Sequence, residues 1–160
     1  MRNICLIGLP TSGKSKIGRL LYRYLNKGFI DTDEIIKLKY RSSLKDLINI
    51  HGNKQFLDIE SKVTQNLIHN NVVLATGGSV IYNERNIDHI KDILHADIFH
   101  LKLSEKEFIQ RMDDPIERGV VIDTEQTLKD IYKERIYYYD TFADYIIPAD
   151  KTIDLDKFKR

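Results

Sequence analysis

The chain has 160 residues, which is the length of one ordinary domain and enough to bury a hydrophobic core. Its 25 lysine and arginine residues almost balance its 24 aspartate and glutamate residues, which argues against the broad positive field that binds nucleic acids or anionic membranes. The single cysteine, Cys5, excludes an intrachain disulfide, and no apolar run reaches the ~18 residues of a membrane span. We therefore expect one domain over residues 1–160, a monomer in the cytoplasm that acts on a small molecule, without a nucleic-acid or membrane partner.

Short apolar runs alternate with longer stretches of helical period, which is the pattern of a parallel α/β fold. The predicted strands are residues 3–7, 28–30, 72–75, 97–102 and 144–147. The predicted helices are one that begins at Lys14 and then residues 33–40, 43–50, 53–69, 84–94, 104–112 and 125–141, with Ser43 and Ser104 as N-caps. This pattern predicts a three-layer α/β/α fold with a five-stranded parallel sheet. The charged segment 113–124 joins two helices, and we expect it to be a mobile lid.

The motif GLPTSGKS, residues 8–15, follows the first predicted strand and matches the phosphate-binding P-loop. In such a loop successive backbone N–H groups surround the phosphates, the lysine reaches the β and γ oxygens, and the hydroxyl ligates Mg²⁺. The following helix adds the partial positive charge of its N-terminus. An ordinary strand–helix turn is the competing interpretation. The motif predicts a nucleotide site that contains Gly8, Thr11, Ser12, Gly13, Lys14, Ser15 and Lys16.

Two carboxylates, Asp31 and Asp33, stand at the end of the second predicted strand. The chain has no Asn-Lys-x-Asp guanine signature and no apolar strand that ends in Asp-Glu, as a motor ATPase would have. At this edge of a parallel sheet, one acid can hold Mg²⁺ and the other can accept a hydroxyl proton from an acceptor substrate. The alternative is a helix N-cap at Thr32 or Asp33. The five histidines show no metal-ligand spacing, so we expect Mg²⁺ to arrive with ATP.

From residue 2 to about residue 147 the chain resembles the shikimate kinases, small P-loop phosphotransferases of the nucleoside monophosphate kinase fold. The resemblance implies that fold, with a lid, and ATP-dependent phosphorylation of shikimate to shikimate 3-phosphate. Besides the P-loop, four segments carry it: HGNKQFLDIE at residues 51–60, ATGGS at 75–79, RGVV at 118–121, and Glu134-Arg135 with Tyr139 and Ala143-Asp144.

The resemblance gives these segments roles that agree with their chemistry. Gly77 and Gly78 allow a ligand to approach the main chain, although a plain turn is the alternative. Arg118 in the lid can offset charge on the transferred phosphoryl group, unless it is only a solvated arginine. The fork-shaped guanidinium of Arg135 suits a substrate carboxylate. Arg111 matches the family's adenine-stacking arginine, although it could equally be a solvated helix residue.

The chain departs from the family pattern at the helix that follows Gly52. The family's second carboxylate-binding arginine is Leu57 here, a change that removes charge-assisted hydrogen bonds worth roughly 1.5 to 3 kcal/mol each. Lys54 is a candidate substitute. If it does not substitute, Glu60 is free to bind a cationic group of a different acceptor, and homoserine fits with its hydroxyl at Asp33, its carboxylate at Arg135 and its amine at Glu60.

Three functions therefore stay open at this point. They are a shikimate kinase, a related kinase of another small hydroxy acid such as homoserine, and a nucleotide-binding protein without turnover. The predicted catalytic residues are Lys14, Asp33 and Arg118, and the predicted metal ligands are Ser15 and Asp31. The predicted acceptor site comprises Asp33, Leu57, Glu60, Gly77, Gly78 and Arg135, and the ATP site also includes Arg111.

Overall fold

A computed structural model of the chain describes residues 2–123 and 125–159. Thr124, the last residue of the predicted lid, and Met1 and Arg160, the ends of the predicted domain, lie outside the described residues. The strands are β1 (Asn3–Ile7), β2 (Gly28–Asp31), β3 (Val72–Ala75), β4 (Ala96–Lys102) and β5 (Tyr145–Pro148). The helices are α1 (Lys14–Leu25), α2 (Thr32–Tyr40), α3 (Leu44–Gln65), α4 (Glu84–Asp88), α5 (Glu105–Arg111) and α6 (Leu128–Phe142). Short helical turns occupy Val80–Tyr82, His89–Ile93 and Leu155–Phe158.

All five strands run parallel in one sheet, in the order β2-β3-β1-β4-β5. The predicted parallel α/β fold is therefore confirmed, and the predicted strands agree with the observed ones to within one residue at each end. The central strand β1 is buried along its whole length, as a strand covered by helices on both faces must be. Cys5 in this strand is fully buried, and burial raises the pKa of its thiol. None of the described helices is long and apolar enough to cross a membrane.

Four predicted helices have different limits in the structure. Residues 43–50 and 53–69, predicted as two helices, form the single helix α3, which is kinked at Gly52 (φ 78°) and ends at Gln65. The last helix begins at Leu128 rather than at residue 125, because Thr127 and Asp130 form a reciprocal capping box there. The predicted helix 84–94 is α4 followed by a wider π-helical turn over His89–Ile93.

Serine side chains cap the N-termini of helices α3 and α5. The Ser43 hydroxyl accepts a hydrogen bond from the Asp46 amide and the Ser104 hydroxyl accepts one from the Glu107 amide, so both predicted N-caps are confirmed.

The main hydrophobic core surrounds β1, β3 and β4. A second cluster, made of Ile36, Leu47, Phe56 and Val63, packs α2 against α3. This second cluster holds α3, and with it Glu60, beside the carboxyl ends of the strands.

Candidate active site

The loop of residues 8–15 connects β1 to α1 at the carboxyl edge of the sheet. Gly13 adopts a left-handed conformation (φ 89°) as the N-cap of α1, and no side chain caps this helix. The Lys14 ammonium is folded back onto the loop, where it donates to the carbonyls of Gly8 and Leu9 at 2.8 and 2.9 Å. Burial lowers the pKa of Lys14 to about 8, against the opposing effect of nearby carboxylates. The loop thus has the open helix N-terminus and the cation that phosphate binding requires.

Asp31 links the loop to the start of α2. One of its carboxylate oxygens lies 2.5 Å from the Ser15 hydroxyl, and the other accepts from the amides of Asp33 and Glu34. Asp31 is therefore the N-cap of α2, and the alternative that placed this cap at Thr32 or Asp33 is wrong. Because Asp31 caps the helix, the carboxylate of Asp33 is left to face the cavity described next.

A cavity of about 290 Å³ opens beside the loop at the carboxyl ends of β1, β2 and β3. It brings together eleven of the predicted site residues: Thr11, Gly13, Lys14, Ser15, Lys16, Asp33, Glu60, Gly77, Gly78, Arg118 and Arg135. Among the described residues, buried hydroxyls of Thr11 and Ser12 in the loop have no hydrogen-bond partner. Unpaired buried polar groups are rare in folded proteins, and here they accompany an open helix N-terminus, so this end of the cavity fits phosphate groups.

Two acids meet on the face of Gly77. A Cβ atom on Gly77 would lie 2.0 Å from Glu60 Oε1 and 2.8 Å from Asp33 Oδ1, so only glycine leaves room for both carboxyl groups. Burial, and then the charge of Asp31, raise the pKa of Asp33 to about 6. Burial, and then the charge of Asp33, raise the pKa of Glu60 to about 7. Glu60 Oε2 accepts from the Ser79 hydroxyl at 2.7 Å, whereas Oε1 is buried without a partner among the described residues.

Arg135 also lines the cavity and is only 1% exposed. Its Nη1 atom lies 3.0 Å from the position that a Cβ atom on Gly78 would take. The hydroxyl of Tyr139, one turn further along α6, donates to the Gly78 carbonyl at 2.5 Å. The glycine pair is therefore fixed against α6, and it carries a guanidinium and two carboxyl groups on its surface.

The segment after α5 lies across the cavity. Arg118 lines the cavity and forms an ion pair with Asp113 at 3.5 Å. Glu117 pairs with Lys45 at the start of α3, and the Asn53 side chain donates to the Ile122 carbonyl at 2.8 Å. These contacts hold the predicted lid segment against α3 and bring Arg118 to the same cavity as the P-loop.

Five of the predicted site residues do not line this cavity, namely Gly8, Ser12, Asp31, Arg111 and Leu57. Arg111 donates to the Thr11 carbonyl at 3.3 Å and pairs with Glu107, beside the loop. Leu57 lines a second cavity of about 200 Å³, together with Lys54 and Tyr82. Ser79 lines both cavities, so the two are neighbours.

The sequence interpretation did not select several residues that shape the site. Phe56, Thr76 and Ser79 line the main cavity, and the Thr32 hydroxyl accepts from the Gly77 amide at 3.0 Å. Tyr82 accepts a hydrogen bond from Arg135 Nε at 3.1 Å. Thr76 and Ser79 flank the glycine pair in the sequence, and this position could have indicated that they belong to the site. No local pattern marks Tyr82, because its partner is 53 residues away in the sequence.

The parallel sheet, the P-loop at its central strand and the adjacent cavity with acids and arginines define a P-loop kinase of the nucleoside monophosphate kinase type. The family model for shikimate kinase matches residues 10–159. The chain belongs to the shikimate kinase family.

Individual proteins support this assignment. A shikimate kinase from Clostridium botulinum (strain Loch Maree / Type A3) is 35% identical over 144 residues, which is 88% of this chain and 84% of that protein. A shikimate kinase from Legionella pneumophila (strain Corby) is 33% identical, and the match covers 94% of this chain and 87% of that one. The structure of shikimate kinase from Acinetobacter baumannii in complex with shikimate matches with a TM-score of 0.86 at 28% identity, over 98% of this chain and 88% of that one.

Proposed function

We propose that this kinase transfers the γ-phosphoryl group of ATP to a hydroxyl group of shikimate, giving shikimate 3-phosphate and ADP. The observation that carries the proposal is the cavity that places Lys14, Asp33 and Arg135 around one space. A P-loop lysine, a carboxylate and a buried guanidinium are the groups needed to bind a phosphoryl donor, activate a hydroxyl and hold a carboxylate. The family assignment and the similarity to a structure that contains shikimate support the choice of acceptor.

At the donor end, the free backbone N–H groups at the N-terminus of α1 bind the β- and γ-phosphates, and Lys14 exchanges its two carbonyl partners for phosphate oxygens. A hydrogen bond from the lysine ammonium to a charged phosphate oxygen is stronger than one from the same ammonium to a neutral carbonyl. Arg111, which donates to the Thr11 carbonyl, would stack on the adenine base on this side of the loop.

Ser15 and Asp31 supply the protein ligands for Mg²⁺. Their oxygens lie 2.5 Å apart and are the hard donors that this ion prefers. The described residues contain no group of three or more His, Cys, Asp or Glu side chains that could hold a metal ion, and Mg²⁺ at kinase sites would also take oxygens of substrate phosphates and water as ligands. When bound, Mg²⁺ neutralises charge on the phosphate oxygens.

At the acceptor end, Asp33 accepts the proton of the attacking hydroxyl while Arg135 holds the carboxylate. Glu60, Gly77 and Gly78 line the space between them. Arg118 lies on the lid side of the cavity, where its positive charge offsets the charge that develops on the transferred group. The lid, residues 113–124, excludes water during transfer.

A second acceptor, homoserine, is favoured by one observation. Glu60 Oε1 is buried without a partner among the described residues, and an ammonium group of the substrate would provide one. Shikimate would instead offer a hydroxyl to the same oxygen. The single domain over residues 1–160, the monomeric state and the cytoplasmic location stay predictions.

The test is direct detection of shikimate 3-phosphate after incubation of the purified chain with ATP, Mg²⁺ and shikimate, for the wild type and for Asp33→Asn. Removing a general base lowers kcat by about 10²- to 10⁴-fold, whereas the ATP dissociation constant should stay within about twofold because the P-loop is unchanged. The control is Glu34→Gln, an exposed neighbour on α2. Loss of ATP binding in parallel with turnover would reassign Asp33 to the nucleotide, and absence of the product from the wild type would refute the proposal.

A further inference from the structure

The orientation of the Arg135 guanidinium is fixed by contacts with Tyr82, with the Val121 carbonyl and with the hydroxyl of Tyr139. Nε donates to the Tyr82 hydroxyl at 3.1 Å, and Nη2 donates to the Val121 carbonyl in the lid at 2.6 Å. The guanidinium carbon also lies 5.3 Å from the centre of the Tyr82 ring. The third nitrogen, Nη1, lies against Gly78 in the wall of the main cavity.

Tyr82 is well placed to impose this orientation. It ends the short helical turn Val80–Tyr82, which is separated from the glycine pair by Ser79 alone, so its backbone lies close to the cavity wall. Its hydroxyl is neutral at neutral pH and accepts from the arginine, and burial raises its pKa further, to about 12. Of the described residues that line the second cavity, Tyr82 is the one with a hydrogen bond to Arg135.

We propose that Tyr82 is a positioning residue for acceptor binding: its hydroxyl and ring hold Arg135 so that Nη1 presents its N–H groups to the carboxylate of the acceptor. Leu57 cannot supply a charge, and Lys54 is exposed and lines the second cavity. Arg118, the other arginine that lines the main cavity, belongs to the lid segment, so Arg135 binds the carboxylate without the second arginine that position 57 would carry. Under these conditions its orientation decides acceptor affinity, because a guanidinium held in one geometry loses less entropy on binding.

The test is Tyr82→Phe, which removes the hydroxyl and keeps the ring. We expect the KM for the acceptor to rise about tenfold, the loss of one hydrogen bond to a charged group, with kcat and the KM for ATP within about twofold of wild type. The matched control is Tyr138→Phe, which removes a hydroxyl from the ring that packs edge-on against Tyr82 at 6.0 Å, and its KM should not change.

Two further measurements distinguish positioning from simple packing. With shikimate methyl ester as the acceptor, Tyr82→Phe should change the KM by less than about twofold, because the ester lacks the charge that Arg135 binds. In an Arg135→Lys background, Tyr82→Phe should have little further effect, since coupled residues are not additive. An unchanged KM for the acid, an equal loss on the ester, or full additivity with Arg135→Lys overturns the inference.

The inference rests on the proposed function only in requiring a carboxylate acceptor. Shikimate and homoserine both carry one, so the comparison is made on whichever of the two the wild type phosphorylates. If the wild type phosphorylates homoserine but not shikimate, and Tyr82→Phe raises the KM for homoserine about tenfold, the proposed function is wrong and the role of Tyr82 stands. If neither acceptor is phosphorylated, both the proposed function and the role of Tyr82 are wrong.

Discussion

The Lys14 ammonium is held by two neutral carbonyls of its own loop, those of Gly8 and Leu9. These bonds direct the side chain along the loop and offset part of the cost of burying it. The acids Asp31 and Asp33 lie close enough to favour its charged form. A cation held in this way is ready to stabilise charge that develops on a phosphoryl group.

Lys14→Met should therefore lower kcat by about a hundredfold or more and leave the fold intact, because the lost charge acts mainly in the transition state. Turnover is measured by coupled ADP release and folding by thermal unfolding. Lys39→Met, an exposed position on α2, is the control and should retain wild-type activity. Retention of more than about a tenth of the wild-type turnover by Lys14→Met would contradict the role of the loop.

Glu60 makes stability depend on pH. Burial, and then Asp33, raise its pKa from 4.5 to about 7, while Ser79, Arg135 and Lys14 act in the opposite direction. The folded protein holds this proton up to about pH 7, whereas the unfolded chain releases it near pH 4.5. The stabilising contribution of the neutral carboxyl group is therefore complete below pH 4.5 and lost as the pH rises through about 7.

Glu60→Gln should remove this dependence, because the amide is neutral at every pH in the window. The free energy of unfolding in urea, compared at about pH 5 and about pH 8, should fall more steeply with pH in the wild type than in the variant. Glu84→Gln, at an exposed carboxylate, should keep the wild-type slope. Equal slopes in the wild type and Glu60→Gln would show that Glu60 is ionised in the folded protein throughout.

Elements whose limits depend on burial were predictable, and elements whose limits depend on side-chain hydrogen bonds were less so. Strands β1 and β3 have the predicted bounds because both are continuous buried runs. The start of α6 was placed too early because the Thr127–Asp130 capping box outweighs the helical pattern before it. Helix α3 was divided at Gly52, although the chain continues as one kinked helix through that residue.

The position of the predicted lid segment depends on one close approach. A Cβ atom on Gly119 would lie 2.7 Å from Leu44 Cβ and 2.8 Å from the Lys45 amide nitrogen, at the start of α3. Gly119→Ala should push the lid off α3, lower kcat by about tenfold or more, and speed hydrogen exchange of lid amides when ADP and shikimate are both bound.

Gly52→Ala is the matched control for this lid variant. Both glycines have positive φ, so both variants bear a backbone cost, roughly 1–3 kcal/mol for the conformation of Gly52 (φ 78°, ψ 167°), but no atom lies within 4 Å of a Cβ on Gly52. In Gly52→Ala, the hydrogen-exchange rate of the lid amides and kcat should stay near the wild-type values. Equal exchange rates and equal kcat in Gly119→Ala and wild type would contradict a closing lid that docks on α3.

At the scale of the whole molecule, the strand order creates the site. The P-loop follows β1, Asp33 follows β2 and the glycine pair follows β3, and these three strands are adjacent. Ligands of open α/β sheets bind at this edge, where the carboxyl ends of the strands meet. Segments that are far apart in sequence are thereby assembled in one cavity with Arg118 and Arg135.

The sequence predicted the parts of the site that are contiguous, such as residues 8–15 and the pair Gly77-Gly78. It did not predict that Leu57 lines a neighbouring cavity while Phe56 lines the main one, because this depends on the rotation of α3 after its kink at Gly52. The contact of Arg135 with Tyr82 was equally inaccessible, because it depends on how α6 packs against the turn after β3.

The central claim is that this cavity selects shikimate as the phosphoryl acceptor. The most direct test is a competition in which the purified chain, ATP and Mg²⁺ are given equal concentrations of shikimate and homoserine, with both phosphorylated products quantified by mass spectrometry. The ratio of initial rates equals the ratio of the two kcat/KM values. The account predicts that shikimate 3-phosphate exceeds homoserine phosphate by about a hundredfold or more. A product mixture dominated by homoserine phosphate, or ADP release with neither acceptor phosphorylated, would contradict it.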